Sequence, residues 1–450
     1  MALPAGAAAG VGFRVSFRTE EAVPDPTSLG VRAAAREIAA RRLSASDYLA
    51  AWLEVIAAQE ARVGAWQYFD REQALEAARR CDDEAPRGPL HGIPIGVKDL
   101  IDTVDMPTGY GSTIYRNHRP AADAACVALS RAAGAIVLGK TVTTEFAYFS
   151  PGKTANPHNP AHTPGGSSSG SAAAVGAGMV PLAFGTQTAG SILRPASYCG
   201  VVGYKPSFGL IPRAGVKGLS DSLDTVGVMA RTVDDAAFFA GVLTDRRELR
   251  DAAAPLPPHF GFCPTPMWAE AEPATVAALD RARGALLAAG AEIDDIAVPA
   301  EHAGLVAAQG TIMSYEMVRA LADERIRYST EISPRLAQLF DHGMTIGAGT
   351  YDAARAETRA ARRRLPEFFG RCAAIVVPAA PGEAPVGLEY TGDPVFNRMW
   401  TLLGTPCITI PAGKGETGLP VGIQLVGRIG DDARLMSAAL FAERALAQAA

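Results

Sequence analysis

Between Gly165 and Pro206 the chain concentrates glycine, alanine and hydroxyl residues to a degree that core-building alone does not require. The run Gly165-Gly-Ser-Ser-Ser-Gly-Ser171 leads into Ala172-Ala-Ala-Val-Gly-Ala-Gly178, and a second cluster, Gly185-Thr-Gln-Thr-Ala-Gly-Ser191, follows. Arg194-Pro-Ala196 and Cys199-Gly-Val-Val-Gly-Tyr-Lys-Pro206 close the stretch. Glycine serves where backbone takes positive φ or approaches another group closely. Two glycine clusters that each carry serine predict backbone N–H groups and hydroxyls gathered around one reacting atom. That is the outline of a covalent serine-hydrolase site without histidine.

The rest of the chain can build a large core around such a site. Its 450 residues are 48% hydrophobic and 20% charged, as in ordinary globular proteins. A net charge of −5 argues against a basic nucleic-acid footprint, and Arg362-Arg-Arg364 reads as a solvated helix face. Six cysteines without a Cys-x-x-Cys pair, and no secretion signal, predict reduced buried thiols in a cytoplasmic protein. Seven scattered histidines show no ligand spacing, so neither a metal nor another cofactor is expected. No uncharged apolar stretch reaches the ~20 residues that span a bilayer. Residues 1–24 read as a loose tail, and 25–450 as one domain with a catalytic core over about 85–235.

Two amphipathic helices fit residues 28–62, with Ser44 as N-cap and Asp47 three positions later; another fits 70–81. Short apolar runs then alternate with helical segments: Pro94-Ile-Gly-Val, Ala135-Ile-Val-Leu, Val180-Pro-Leu-Ala-Phe, Ala374-Ile-Val-Val and Ile423-Gln-Leu-Val. That alternation predicts an α/β fold with a mixed sheet covered by helices. Residues 265–370 are Ala- and Arg-rich, and read as a helical segment covering the substrate.

Gly134-Ala-Ile-Val-Leu-Gly-Lys140-Thr141 satisfies the phosphate-loop pattern letter by letter. Its middle residues are strand formers and a helix precedes it, so Lys140 reads as a strand-end residue, not a nucleotide ligand. Lys98 is different. It ends the apolar run Ile93-Pro-Ile-Gly-Val97, where an amine must pair with acid, Asp99 or Asp102 being at hand, or lose its proton and become a general base.

Together these residues resemble the amidase signature family, amide and related C–N hydrolases. The resemblance runs from Gly88-Pro-Leu-His-Gly-Ile-Pro94 through Glu145-Phe-Ala147, Asn156-Pro157 and both serine clusters. It continues in Ser222-Leu-Asp224, Gly404-Thr-Pro406 and Leu419-Pro-Val-Gly422. It implies a single large domain with a twisted, mixed but mostly parallel sheet, helices on both faces and no cofactor. Carried over by motif, Ser191 is the nucleophile, Ser167 the serine of a cis peptide with Gly166, and Lys98 the base. The resemblance also implies an oxyanion hole from the amides of Thr188, Ala189, Gly190 and Ser191, with Ser168 supporting the site by hydrogen bonds. Ser171 reads as a helix cap, and Ser169 as scaffold.

Three departures bear on substrate. Gln187 stands where many members have aspartate, and Ala189 where many have glycine. The Ser191-x-x-Arg194-Pro-Ala motif resembles the malonamidase-like branch, where the arginine contacts a substrate acid group; here Arg194 either does so or pairs with Asp224. Tyr110, Tyr148, Phe149, Met313, Tyr315 and Trp400 are candidates for an aromatic-tolerant pocket. The reading reached is a stand-alone amidase or urethanase that hydrolyses a linear amide or carbamate. Its substrate is a small molecule, with no nucleic acid or membrane partner, and it is a monomer or homodimer. The alternative is the A-type component of a glutamine-dependent amidotransferase acting on charged tRNA. Val142-Thr-Thr-Glu-Phe146 stands where transferases usually carry Asn-Met-Asp-Glu-Phe, which weighs against that alternative.

Overall fold

Ser44 caps the helix Ala45–Val63 by accepting from the Asp47 amide at 2.9 Å, as its spacing predicts. Asp70 does the same for the helix Arg71–Asp83. The computed structural model describes residues 25–148, 150–254 and 256–449, so the expected tail at 1–24 lies outside it.

Among the described residues eleven strands form one sheet: β1 (Trp66–Phe69), β2 (Pro94–Lys98), β3 (Ile136–Thr141), β4 (Leu182–Gln187), β5 (Val202–Lys205), β6 (Thr225–Ala230), β7 (His259–Phe262), β8 (Glu292–Asp295), β9 (Ala374–Pro378), β10 (Cys407–Lys414) and β11 (Pro420–Val426). Their order is β1-β3-β2-β4-β6-β5-β10-β11-β9-β7-β8. With helices flanking it, this is the single large α/β domain with a mixed sheet that the sequence predicts.

The sheet is not mostly parallel. Only β2 with β3 and β4, and β7 with β8 and β9, pair in parallel; every other neighbour is antiparallel. Parallel pairs need a long crossover, whereas the short turn between β10 and β11 can join only antiparallel strands. β5 and β6 escape the sequence reading because glycine looks like loop. Here Gly227 sits where a side chain would lie 2.2 Å from the Tyr204 carbonyl oxygen, so glycine permits the strands' contact.

Lys140 sits within β3, buried, donating to Ile101 O at 2.8 Å and Thr108 Oγ1 at 2.6 Å; the phosphate-loop match is a strand. The segment 265–370 covers the substrate side only in part. Its first helix, Pro273–Ala288, packs on β10 and β11, and β8 follows. The helix Leu305–Ala320 reaches the site region through Met313, with Pro334–Thr345 packed against it. Among the described residues no helix is long and apolar enough to cross a membrane.

The helix Ser169–Gly176 is buried along nearly its whole length, and small residues allow that. A Cβ on Gly170 would lie 2.3 Å from both Ala65 O and Val142 N, which are backbone atoms that cannot swing aside. Gly170→Ala is therefore expected to destabilise the fold by about 3 kcal/mol, the upper end of overpacking penalties. Urea midpoints measure it, and an unchanged midpoint refutes the close approach.

Candidate active site

β2 and β4 run parallel as neighbours, so their C-terminal ends meet. Lys98 closes β2 and is fully buried, its Nζ donating to Ser167 Oγ at 2.7 Å and Thr186 Oγ1 at 2.8 Å. Desolvation pushes its amine well below the ordinary lysine range, partly opposed by the charge of Asp224. The ion pairs with Asp99 or Asp102 are not made: Asp99 lies 3.2 Å from Lys140 instead, and Asp102 accepts from Tyr110.

The Gly166–Ser167 peptide is cis, and Ser167 and Ser191 line the same cleft. The two glycine clusters are tied together by Ser168: its amide donates to Ser191 O at 3.4 Å, and its Oγ bonds both the N–H and C=O of Thr186 at 3.2 Å. Ser171 is not the cap. It lies inside the first turn, where a capping side chain has no free amide to reach, and bridges Thr141 Oγ1 and Phe184 O. Ser169 donates only to Ser167 O.

Between β4 and the helix Leu193–Cys199 the chain turns so that its carbonyls face away from the cleft and are each satisfied. Thr188 O accepts from Gln309 Nε2 at 3.0 Å, Ala189 O from Thr401 Oγ1 at 2.6 Å, and Gly190 O from the Arg194 amide. The amides of Ala189, Gly190 and Ser191 have no partner among the described residues. Gln187 explains its own departure: its Oε1 accepts from the Ile192 and Leu193 amides, while its Nε2, which an aspartate lacks, donates to Thr401. Ala189 is tolerated because its φ is not positive, whereas a Cβ on Gly190 would lie 2.3 Å from Asn397 Oδ1.

Arg194 does not pair with Asp224. Asp224 is engaged by Thr188 Oγ1 at 2.6 Å and by the Leu219 and Ser220 amides, and burial raises its carboxyl despite these donors. Arg194 instead donates to Thr391 O at 2.8 Å and Gly166 O at 2.7 Å, both neutral acceptors. It is 2% exposed, lines the cleft, and its Nη1 has no hydrogen-bond partner. Among the described residues, Thr144 Oγ1 and Arg398 Nε are the other buried cleft atoms in that condition.

Tyr148 and Met313 line the cleft as expected; Phe149 lies outside the described residues. Trp400 is not on the wall. Arg398 of the same helix is, and two residues on, about 200° further round, Trp400 faces an apolar cluster and stacks with Phe368. Tyr110 is held by Asp102, and Tyr315 stacks on Tyr351, so neither reaches the cleft. Nor is the pocket roomy: a cavity of about 30 Å³ remains, space for roughly two waters. Sequence reasoning missed Thr144, Gln309 and Thr401. Thr144 lay in a segment read only for its departure from a motif, and the other two carry no local signature.

Two serine hydroxyls, a desolvated amine and unpartnered amides at one cleft suit acyl transfer. Residues 47–436 match the family model described as Amidase, and the chain belongs to the amidase family. It is 37% identical to the A-type component of glutamyl-tRNA(Gln) amidotransferase from Nitratidesulfovibrio vulgaris, over 92% of this chain and 96% of that protein. It is 34% identical to the protein of the same name from an Anaeromyxobacter species, over 93% and 96%. A crystal structure of an amidase superposes with a TM-score of 0.84 at 30% identity, covering 92% of this chain and 99% of that one.

These relatives overturn the reading of a stand-alone amide or carbamate hydrolase with a small-molecule substrate and no nucleic-acid partner. Further relatives, down to 30% identity, carry the same name. None of these relatives is a urethanase. The net charge misled because it sums the whole surface, and one component of an assembly can meet tRNA through its partners. The Val142–Phe146 departure misled because one short segment was set against likeness along the whole chain.

Proposed function

We propose that this chain is the amide-cleaving component of a glutamine-dependent amidotransferase acting on glutamyl-tRNA(Gln) in the cytoplasm. The observation that carries the reading is the shared identity of its relatives along about nine-tenths of the chain.

In this reading Ser191 Oγ attacks the side-chain amide carbon of glutamine. Its proton passes through Ser167 Oγ to the neutral Lys98 amine. The oxyanion is received by the amides of the Thr188–Ser191 turn, where one such donor is worth about 3 kcal/mol. The proton returns along the relay to the nitrogen, ammonia leaves, and water releases glutamate from Ser191. Ammonia then serves the tRNA-bound glutamyl group with the help of partner proteins.

A buried guanidinium facing only neutral acceptors is costly unless an anion joins it. The glutamine α-carboxylate is that anion, with Arg194 Nη1 and Thr144 Oγ1 as donors. Thr144→Val, which keeps the shape and removes the hydroxyl, is expected to raise KM for L-glutamine about tenfold with kcat nearly unchanged. Equal KM values in the two proteins would remove Thr144 from substrate binding. The function itself is tested by co-expression with the remaining amidotransferase components and measurement of Gln-tRNA(Gln) formed from L-glutamine. Absence of product from an intact assembly rejects the reading.

A further inference from the structure

The flank of the sheet remote from β2 and β4 gathers a second set of reactive side chains. His259 opens β7, Asp294 lies in β8, and Cys372 shortly precedes β9. β7 lies between the other two, and the register sets His259 beside Glu292 and Gly261 beside Asp294. An imidazole nitrogen, a carboxylate oxygen and the thiol sulfur all converge within 4.8 Å of one another. Glycine at 261 lets its neighbours approach, since a Cβ there would sit 2.6 Å from Ile296 Cδ1 and 3.3 Å from Cys372 Sγ.

The imidazole is poised in a particular way. His259 Nδ1 lies 3.1 Å from Glu292 Oε2, and a carboxylate only accepts, so Nδ1 carries hydrogen. In the neutral ring, Nε2 then presents a lone pair. It is buried and lies 2.8 Å from Asp294 Oδ2, a second acceptor. Two lone pairs this close require a cation between them, either a second ring proton or a metal ion. The thiol of Cys372 within reach of the same pair points to the ion, because imidazole and sulfur donors together suit a metal of the zinc class. Cys372, 3% exposed and without a side-chain partner among the described residues, adds a soft donor aimed at the same point. Glu292 would then orient the imidazole from behind, as carboxylates do for metal-bound histidines.

We propose that His259, Asp294 and Cys372 bind a divalent ion of the zinc class, with water as fourth ligand. Burial and the neighbouring Asp294 hold the Cys372 thiol protonated before binding, so the Sγ–metal bond forms as the S–H bond breaks and one proton leaves to solvent. Arg371 is the resident competitor. Its guanidinium forks onto Asp294 at 3.2 and 3.3 Å and reaches Glu292 at 3.3 Å, all at an exposed surface where exchange is easy. The ligands come from β7, β8 and the approach to β9, which is why their positions in the chain carry no zinc signature.

The test uses the full-length protein, dialysed against chelator and titrated with Co²⁺ as a spectroscopic stand-in for zinc. The expected result is one equivalent of a thiolate-to-cobalt charge-transfer band, bleached by Zn²⁺. Cys372→Ser abolishes the band, His259→Gln weakens Zn²⁺ binding at least tenfold, and Arg371→Gln strengthens it severalfold. The thermal midpoints of the metal-free variants establish that each is folded. A wild type without the band means that the cluster holds only an ion-paired imidazolium, and overturns the proposal. So does a band that survives in Cys372→Ser, or Zn²⁺ affinity unmoved in both His259→Gln and Arg371→Gln.

Discussion

Replacing Ser191 by alanine is expected to lower ammonia release from L-glutamine by a factor on the order of 10⁶, the scale of nucleophile deletions in serine hydrolases. The side chain donates no hydrogen bond to the fold, so the variant should fold and assemble normally. What it loses is the atom that becomes acylated. Because only ammonia generation is removed, ammonium salts supplied in solution should restore Gln-tRNA(Gln) formation by the assembled variant. Glutamine-dependent activity above about one-thousandth of wild type would point to a different nucleophile. Failure of ammonium rescue in a well-folded assembly would instead place Ser191 in the transfer step.

Lys98→Met carries the second large effect, a loss of roughly 10³-fold, within the range for removing a positioned general base. The wild-type rate should climb with pH as the buried amine loses its proton, because only the neutral amine accepts from Ser167. Stability should move the same way. The folded chain holds Lys98 well below its ordinary range, while the unfolded chain keeps it near ~10.4. Between those two values the unfolded state binds more protons, so wild-type stability rises with pH through that window and is level outside it. Methionine has no proton to bind. The variant should therefore gain on wild type as pH falls from about 10 toward the folded pKa, even though it loses the bonds to Ser167 and Thr186. Urea midpoints of both proteins across that range decide the matter. A difference independent of pH would mean that Lys98 is buried as an ammonium.

Much of this site was legible in the order of residues. The glycine and serine clusters announce themselves because close backbone approach leaves few alternatives to glycine. Lys98 stands out because an amine ending an apolar strand has few stable fates. The rest depends on which side of a helix meets which cavity. Trp400 and Arg398 share a helix, and nothing in their spacing tells that the arginine takes the cleft while the tryptophan goes to the core. Gly203 and Gly227 read as loop, although each lies within a central strand pressed against a neighbouring backbone. The identity of the acceptor was hidden for a different reason. In the proposed reaction ammonia made in this cleft is used elsewhere, so the cleft residues do not record its destination.

The carbonyl anchors of the catalytic turn have a consequence for when the enzyme comes alive. Thr188 is held by a residue 121 positions further along the chain, and Ala189 by one 212 positions further. A chain still emerging from the ribosome can carry Lys98, Ser167 and Ser191 long before either anchor has been made. Amide-cleaving power thus arrives only with the last third of the polypeptide, so an unfinished product is silent.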